Sequence, residues 1–98
     1  MENDLSLNKE LRKLLRYSRI SVLALLNFVS MDGLTYNALR ENTNLSEGTF
    51  GGCLIWLYKN DYIKIVKEKI QKVCFITQKG EDAVNSIIFW FIKIGYGK

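Results

Sequence analysis

Two short β-type runs constrain this chain more than any other feature, because the rest of its sequence has a helical pattern. The runs cover residues 62–66 and 72–76 and are rich in β-branched and aromatic side chains. The polar segment between them, 67–71, has the length of a hairpin connection. A lone hairpin is only marginally stable in water and must pack against helices. The sequence therefore predicts an α+β fold that is mostly helical.

A long N-terminal helix is predicted over residues 7–31, broken or bent near Ser18. Its first half has basic residues on one side of the helical wheel and, on the other side, Leu7, Leu11, Leu14 and Leu15. Its second half, SRISVLALLNFVS at 18–30, is apolar nearly all round. We therefore expect the first half to be an arm and the second half to be deeply buried.

Three further helices are predicted after the turn signal at residues 32–33. Thr35 can cap a short helix that runs to about residue 41. Ser46 can cap the next helix, which runs to about residue 60 and has a core stripe of Phe50, Leu54 and Leu57. The last helix covers residues 78–94.

The predicted elements follow the order of a winged helix-turn-helix, which is helix, short helix, turn, helix, hairpin and helix. The turn at 42–44 is short, and the hairpin follows the third helix at once. We predict one winged-helix domain with a two-stranded wing and a long C-terminal helix. Residues 1–17 would form an amphipathic arm, 18–76 the winged-helix core and 77–98 the C-terminal helix.

Four short motifs carry a resemblance to a known family. They are GLTYNAL at 33–39, LSEGTF at 45–50, LYKNDYI at 57–63 and ITQKGE at 76–81. In this order they resemble the GLT-x-x-x-L, LS-x-x-T, L-x-x-x-G-Y-I and LT-x-x-G motifs of MarR/ArsR-like winged-helix transcription regulators. The resemblance covers residues 18–84. It implies a dimeric, sequence-specific DNA-binding regulator.

The composition excludes much catalytic chemistry. The chain has no histidine and only two cysteines, Cys53 and Cys74. It therefore lacks a histidine general base, a serine or cysteine triad and a zinc site with histidine ligands. The two cysteines also lack the pattern of a disulfide framework or a C-x-x-C motif. We predict a binding module rather than an enzyme, with no cofactor and no metal.

Apolar segments and the N-terminal sequence favour a cytoplasmic location. The start, MENDLSLNKELRK, is acidic and then amphipathic, unlike a signal peptide. The longest apolar run, 87–92, is six residues, whereas a membrane span needs about 20. We expect no membrane contact. The abundance of Ile, Lys and Asn is typical of an AT-rich genome, archaeal or viral.

Basic charge is concentrated in two segments. The whole chain has a net charge of +4 and a pI near 9.1. Residues 9–19 and residues 59–79 each carry +4, so the remaining residues together carry −4. Two basic segments in an otherwise acidic chain indicate a surface that binds a polyanion. A pair of solvated faces is the alternative.

The third helix of a winged helix-turn-helix lies in the major groove of DNA. We predict that this helix and its cap contact DNA through Ser46, Thr49, Gly51, Gly52 and Lys59. Residues 46–58 contain no Arg, Lys, Asn or Gln, which are the side chains that read guanine and adenine by paired hydrogen bonds. Direct base readout by this helix is therefore expected to be weak.

Two neighbouring pairs on this helix each have more than one interpretation. Gly51 and Gly52 let the backbone approach the DNA closely, let another helix of the protein pack against them, or have neither role. Ile55 and Trp56 either contact thymine methyls and sugars or form packing and protein contacts.

Lysines near the hairpin tip are the expected contacts to the DNA backbone, since a lysine is a point charge that suits phosphate. They are Lys67, Lys69 and Lys72. The alternative is a solvated tip whose lysines protect the sheet edge. The arm would add backbone contacts if it lies on the DNA side, through Arg12, Arg16 and Arg19.

The C-terminal sequence IIFWFIKI, from residue 87, is apolar on every face of a helix. One small domain cannot cover that surface, so we expect a second copy of the chain to do so. The predicted dimer interface is Leu7, Leu11, Ile88, Phe89, Phe91 and Ile92.

These observations predict a sequence-specific regulator that binds double-stranded DNA and represses transcription as a homodimer. The alternative is a winged-helix protein-interaction module with Ile55 and Trp56 as its anchors and little or no sequence-specific DNA binding. The operator sequence, the direction of regulation, any small-molecule ligand and the redox role of the cysteines stay open at this point.

Overall fold

The computed structural model describes residues 7–96. Residues 1–6 of the predicted arm and residues 97–98 of the predicted C-terminal segment lie outside the described residues. The elements are α1 (Lys9–Arg12), α2 (Tyr17–Val29), a 3₁₀ turn (Ser30–Asp32), β1 (Leu34–Thr35), α3 (Tyr36–Thr43), α4 (Glu47–Lys59), β2 (Ile63–Glu68), β3 (Gln71–Ile76) and α5 (Gln78–Tyr96). The predicted fold class and winged helix-turn-helix order are confirmed.

The sheet has three antiparallel strands in the order β1-β3-β2, one more than the two predicted. The hairpin β2–β3, called the wing below, pairs from Ile63 opposite Ile76 to Glu68 opposite Gln71. The extra strand β1 has two residues, too few to show any periodicity in the sequence. Gly33 lets β1 approach β3, because its φ is +67° and an added Cβ would lie 2.6 Å from the Phe75 ring.

The N-terminal helix breaks earlier than the predicted bend near Ser18. The α1 helix ends at Arg12, and α2 begins only at Tyr17. The Leu14 N–H bonds the Leu11 carbonyl at 2.9 Å, a tighter turn that brings the Leu14 side chain fully into the core. The predicted break near Ser18 is thus confirmed, and it lies a few residues earlier, at 13–16, where Leu14 is buried.

The prediction that residues 18–30 are deeply buried is correct for only one side of α2. Val22, Leu23 and Leu26 are fully buried, but the Phe28 side chain is 85% exposed. Helix α2 packs against α3, α4, α5 and β3. These neighbours leave the side of α2 that carries Phe28 uncovered.

The helix-turn-helix is formed by α3 and α4, and both of its predicted caps are present. The Thr35 hydroxyl oxygen accepts from the Ala38 N–H at 3.2 Å, and the Ser46 hydroxyl oxygen accepts from the Thr49 N–H at 3.4 Å. Helix α3 extends to Thr43 and ends at Asn44, whose φ of +56° is left-handed. The hydrophobic core includes Leu14, Val22, Leu23, Leu26, Leu39, Phe50, Leu54, Leu57, Tyr62, Cys74 and Ile87.

The ITQKGE motif locks the start of α5 onto the turn between α4 and β2. The Thr77 hydroxyl donates to the Asp61 carbonyl at 2.6 Å and accepts from the Gly80 N–H at 3.0 Å. A Cβ at Gly80 would collide with the Tyr62 carbonyl, so this close approach requires glycine. Asp61 itself has a φ of +65° and stands where the resembling family motif has glycine.

Candidate nucleic-acid interface

Helix α4 separates a buried face from an open one. Phe50, Leu54 and Leu57 point into the core as predicted. Among the predicted contact residues, Gly51 is half-buried, and the exposed ones are Ser46, Thr49, Gly52 and Lys59. The exposed surface of α4 therefore has a polar N-terminal end and glycines in its first half. Its second half carries the large side chains of Ile55 and Tyr58 and ends at the cationic Lys59.

The glycines of α4 face open space. A Cβ added at Gly48, Gly51 or Gly52 would meet no atom within 4 Å. Within residues 7–96, therefore, no helix packs closely on these glycines, and that interpretation of Gly51 and Gly52 is not supported by the fold. The backbone of α4 is accessible to a partner over this stretch.

The Trp56 side chain forms contacts within its own domain. Its ring stacks on Tyr62 with a centroid distance of 5.9 Å and an interplanar angle of 23°, and the Arg19 guanidinium lies 3.8 Å from its centroid. On the far side, the Lys79 ammonium lies 4.7 Å from the Tyr62 ring. We call these four residues the cation–aromatic stack. Ile55, by contrast, remains 58% exposed on its own.

The basic residues of the arm differ in how far their side chains are exposed to solvent. Arg12 and Arg16 are exposed, whereas Arg19 is half-buried. The Arg19 guanidinium also donates to the Lys13 carbonyl at 2.6 Å, and its partial burial beside Arg16 lowers its pKa from the ordinary value. Arg19 therefore supports the fold between the arm and α4, while the other two arginines face solvent.

The arm itself is held against α5 by one exposed ion pair. The Lys79 ammonium lies 3.1 Å from the Glu10 carboxylate, which also accepts a 3.4 Å hydrogen bond from the Tyr62 hydroxyl. The hydrogen bond from Lys79 is the main reason that the pKa of Glu10 is lowered. Through Glu10, the arm thus also contacts Lys79 and Tyr62 of the cation–aromatic stack.

The wing concentrates positive charge. Lys67 and Lys72 lie directly opposite each other in the strand register, and Lys69 is in the two-residue turn. All three are exposed, and none forms an ion pair with any other residue of the described chain. Like charges directly opposite each other destabilise a hairpin. Binding of a polyanion would relieve that repulsion.

A cleft of about 380 Å³ lies between the wing and the start of α3. Pairing of β1 with β3 brings residues 35–37 beside residues 67–72, a contact that no sequence motif signalled. Tyr36, Asn37 and Gln71 are therefore site candidates that the sequence analysis missed. The full lining is Thr35, Tyr36, Asn37, Lys67, Lys69, Ile70, Gln71 and Lys72.

Both cysteines are protonated thiols at neutral pH. Burial raises the pKa of Cys53 and of Cys74 to about 11, and the Cys53 thiol donates to the Ser18 carbonyl at 3.3 Å. Over residues 7–96, no cluster of three or more His, Cys, Asp or Glu side chains could hold a metal ion. In the same stretch, no helix is long and apolar enough to cross a membrane.

The predicted dimer residues separate into two groups. Leu7 is buried in the core of its own chain, and Leu11 packs against that core. On α5, Ala83, Val84 and Ile87 pack inward. Beyond them the exposed apolar side chains, with their exposed fractions, are Ile88 (50%), Phe89 (63%), Phe91 (60%) and Ile92 (48%).

A sequence profile decides the family. The profile of the winged helix DNA-binding domain matches residues 18–94. The chain belongs to the winged helix DNA-binding domain family. No curated protein matches this winged-helix domain in sequence.

Solved structures share the fold of this winged-helix domain. MepR of Staphylococcus aureus in a DNA complex has a TM-score of 0.74 at 20% identity, over 86% of this chain and 73% of MepR. The heme sensor PefR of Streptococcus agalactiae, bound to heme, has a TM-score of 0.70 at 18% identity, over 87% of this chain and 59% of PefR. F-93 of SSV1, a viral protein, has a TM-score of 0.57 at 19% identity, over 81% of this chain and 92% of F-93.

These likenesses confirm the MarR-like winged-helix resemblance at the level of the fold. The chain spans 60% of the length of MepR in a second MepR structure and, as above, less than two thirds of PefR.

Proposed function

We propose that this winged-helix domain is a sequence-specific, double-stranded DNA-binding transcriptional regulator that acts in the cytoplasm as a homodimeric repressor, without catalytic activity. The observation that carries the proposal is the open glycine face of α4, together with a wing whose lysines have no ionic partner in the described chain. MepR, which shares the fold, is a transcription regulator of a multidrug efflux pump and has been solved on DNA.

Helix α4 would enter the major groove with its glycine face toward the base edges. Missing side chains at Gly51 and Gly52 allow the helix backbone to come closer to DNA than a helix with larger residues could. Thr49 supplies a hydroxyl for either base edges or phosphate, and Ser46 lies at the helix N-terminus, where a phosphate is favoured. With few base-reading side chains, part of the specificity would come from DNA shape.

Contacts to the DNA backbone would come from the wing and the end of α4. Lys67, Lys69 and Lys72 suit phosphates as point charges, and Lys59 extends the positive surface along α4. Exposed Arg12 and Arg16 add to it if the arm faces DNA. Arg19 would act indirectly, because its guanidinium holds Trp56 and so the orientation of α4.

The first test is duplex binding by fluorescence anisotropy at two salt concentrations. One duplex is the upstream region of the protein's own gene, and the other is a scrambled duplex of equal length. We expect tighter binding to the upstream region and a steep salt dependence on both, because phosphate contacts release counterions. Equal affinity for both duplexes would contradict sequence specificity.

Replacing Lys69 by alanine tests the wing. We expect weaker binding to every duplex by a similar factor, with the slope of log affinity against log salt reduced by about 1. The control is Lys64→Ala, since Lys64 is an exposed lysine at the base of the same hairpin, outside the proposed contacts. A slope that Lys69→Ala leaves unchanged would remove the wing from the mechanism.

Dimerisation would occur through the outer half of α5. Its exposed apolar side chains continue past the part of the helix that packs on the domain, in a molecule 52 Å long and only 25 Å by 21 Å across. A two-fold partner covering them would place two copies of α4 about 34 Å apart, one turn of DNA. Leu7 and Leu11 would support the interface from within their own core.

Replacing Phe89 by arginine is expected to convert the dimer into a monomer, because a charge would be buried at the centre of an apolar interface. Analytical ultracentrifugation over a concentration series measures the change. Phe28→Arg makes the same substitution at an exposed phenylalanine of α2, outside the proposed interface, and is expected to leave the dimer intact. A Phe89→Arg protein that sediments as the native one does would exclude this face.

The alternative, a winged-helix protein-interaction module, is supported by the exposure of Ile55. Its second anchor, Trp56, is half-buried and in contact with Arg19 and Tyr62. Failure of the native protein to bind either duplex at low salt would favour this alternative.

A further inference from the structure

Ile70 is the most exposed large apolar side chain among the described residues, at 98%. It occupies the second position of the two-residue turn between β2 and β3, at the tip of the wing. Isolated apolar residues on a protein surface are common. An almost fully exposed isoleucine at the end of a projecting hairpin, however, gains nothing from the fold of its own chain.

The turn is also not built for hairpin stability. Two-residue hairpin turns favour Asn-Gly or Gly-containing pairs, because they require positive φ angles. Here the pair is Lys69-Ile70, and Lys69 has a φ of +21°, in a region that a side chain with a Cβ disfavours. Lys69 is thus a poor choice for a turn position with positive φ and is better explained by what it contacts. Ile70 does not have a positive φ, and its side chain gains no burial at the tip.

Positive charge outweighs negative charge around this apolar tip, where three exposed lysines stand against one exposed carboxylate, Glu68. Lys69 precedes Ile70 directly, and the pair Lys67–Lys72 stands behind it across the two strands. An apolar apex with cationic flanks matches the DNA minor groove, where apolar sugar walls and base edges lie between two rows of phosphates. Arginine, the usual side chain for reading a narrow minor groove, is absent from residues 59–79.

We propose that Ile70 is an apolar wedge that enters the minor groove of bound DNA and partly separates a base step, while the wing lysines hold the flanking phosphates. The minor groove is about 6 Å wide, too narrow for a two-stranded ribbon, so a tip side chain is what can reach its floor. Isoleucine is among the side chains that act as such wedges. This inference rests on the proposed DNA-binding function and adds a specificity-determining residue to it.

A wedge predicts both a bend and a preference for particular steps. Wedge residues kink the duplex by roughly 20–90° toward the major groove. Pyrimidine–purine steps such as TA and CA unstack most easily. We therefore expect such a step in the operator at the place where the wing tip binds. Specificity of this kind needs no hydrogen bond from the protein to a base.

The experiment compares native protein with Ile70→Ser, Ile70→Met and Lys69→Ala on the upstream duplex. Affinity and its salt slope are measured by anisotropy, and the bend by energy transfer between dyes at the duplex ends. We expect Ile70→Ser to weaken binding about tenfold and to reduce the bend, with an unchanged salt slope because no charge is lost. Ile70→Met should keep the bend, and Lys69→Ala should change the slope but keep most of the bend.

The outcomes distinguish the wedge proposal from the broader proposal that the protein binds DNA. If native protein binds and Ile70→Ser binds and bends the duplex equally, the wedge is overturned and DNA binding stands. If native protein binds no duplex, both are overturned. A parallel measurement uses vesicles of phosphatidylcholine with phosphatidylglycerol. Binding to them that Ile70→Ser abolishes, with no effect on the duplex, would assign the tip to a lipid surface and also overturn the wedge.

Discussion

Replacing Gly52 by glutamate is expected to abolish duplex binding while leaving the fold at least as stable as the native one. A side chain at this position enters open space, so it displaces nothing within the described chain. A residue other than glycine in a helix also raises the free energy of unfolding, by up to about 1 kcal/mol. The effect on DNA is the opposite, because the glutamate would place a negative charge against the groove.

Like charges brought together across an interface cost several kcal/mol. We therefore expect the affinity of Gly52→Glu for the upstream duplex to fall at least about a hundredfold. Anisotropy measures the binding, and urea denaturation followed by circular dichroism measures the stability. Phe28→Glu introduces the same charge at an exposed position of α2, outside the proposed DNA and dimer contacts, and should lose far less affinity.

Gly52→Ala distinguishes close approach from charge. It adds one methyl group and no charge, so a fall in affinity together with a rise in stability would indicate that the α4 backbone itself lies close to DNA. If Gly52→Glu binds as tightly as the native protein, the outer face of α4 has no role in binding. If either variant loses stability, the glycine has a packing role within the chain after all.

Replacing Trp56 by alanine is expected to lower the free energy of unfolding by about 2–3 kcal/mol, somewhat less than for a fully buried tryptophan. The substitution removes the centre of the cation–aromatic stack, where Arg19 and Tyr62 contact the indole from its two sides. For a domain whose total stability is about 5–15 kcal/mol, that is a large share. Urea denaturation followed by circular dichroism measures it.

Ile55→Ala is the matched control, since Ile55 is the neighbouring apolar residue on α4 and is 58% exposed. Its expected change in stability is within about 0.5 kcal/mol. Trp56→Phe keeps an aromatic ring for Arg19 and should retain part of the stability. A Trp56→Ala protein as stable as the native one would show that the indole is dispensable to the fold, and would strengthen the protein-interaction hypothesis.

Much of the architecture could be predicted because its signals are local. Thr35 and Ser46 are capping residues, and the N–H groups they bond lie three residues further along the chain. The stripe of Phe50, Leu54 and Leu57 follows from helical periodicity alone. The hairpin runs differ from their observed strands mainly at the tip, where β2 and β3 extend until only Lys69 and Ile70 remain between them.

The candidate site was predicted less completely, since its residues meet only through contacts that are distant in sequence. Nothing near Trp56 signals that Arg19 will cover it, and nothing near Thr35 signals its pairing with Val73 in β3. That pairing creates the cleft between α3 and the wing. The exposure of Ile70 likewise depends on how far the wing projects from the domain.

Local sequence patterns were sufficient to predict the main helices and the hairpin in their order, the two caps, the core stripe of α4 and the basic segments, because each depends on side chains within one or two turns of each other. The exact break in the N-terminal helix, the exposed side of α2 and the open space around the α4 glycines could be known only from the packed structure. Leu14, Phe28 and Gly52 show the reason. The environment of each is set by elements far away in the chain, and burial is a property of that arrangement rather than of any local pattern.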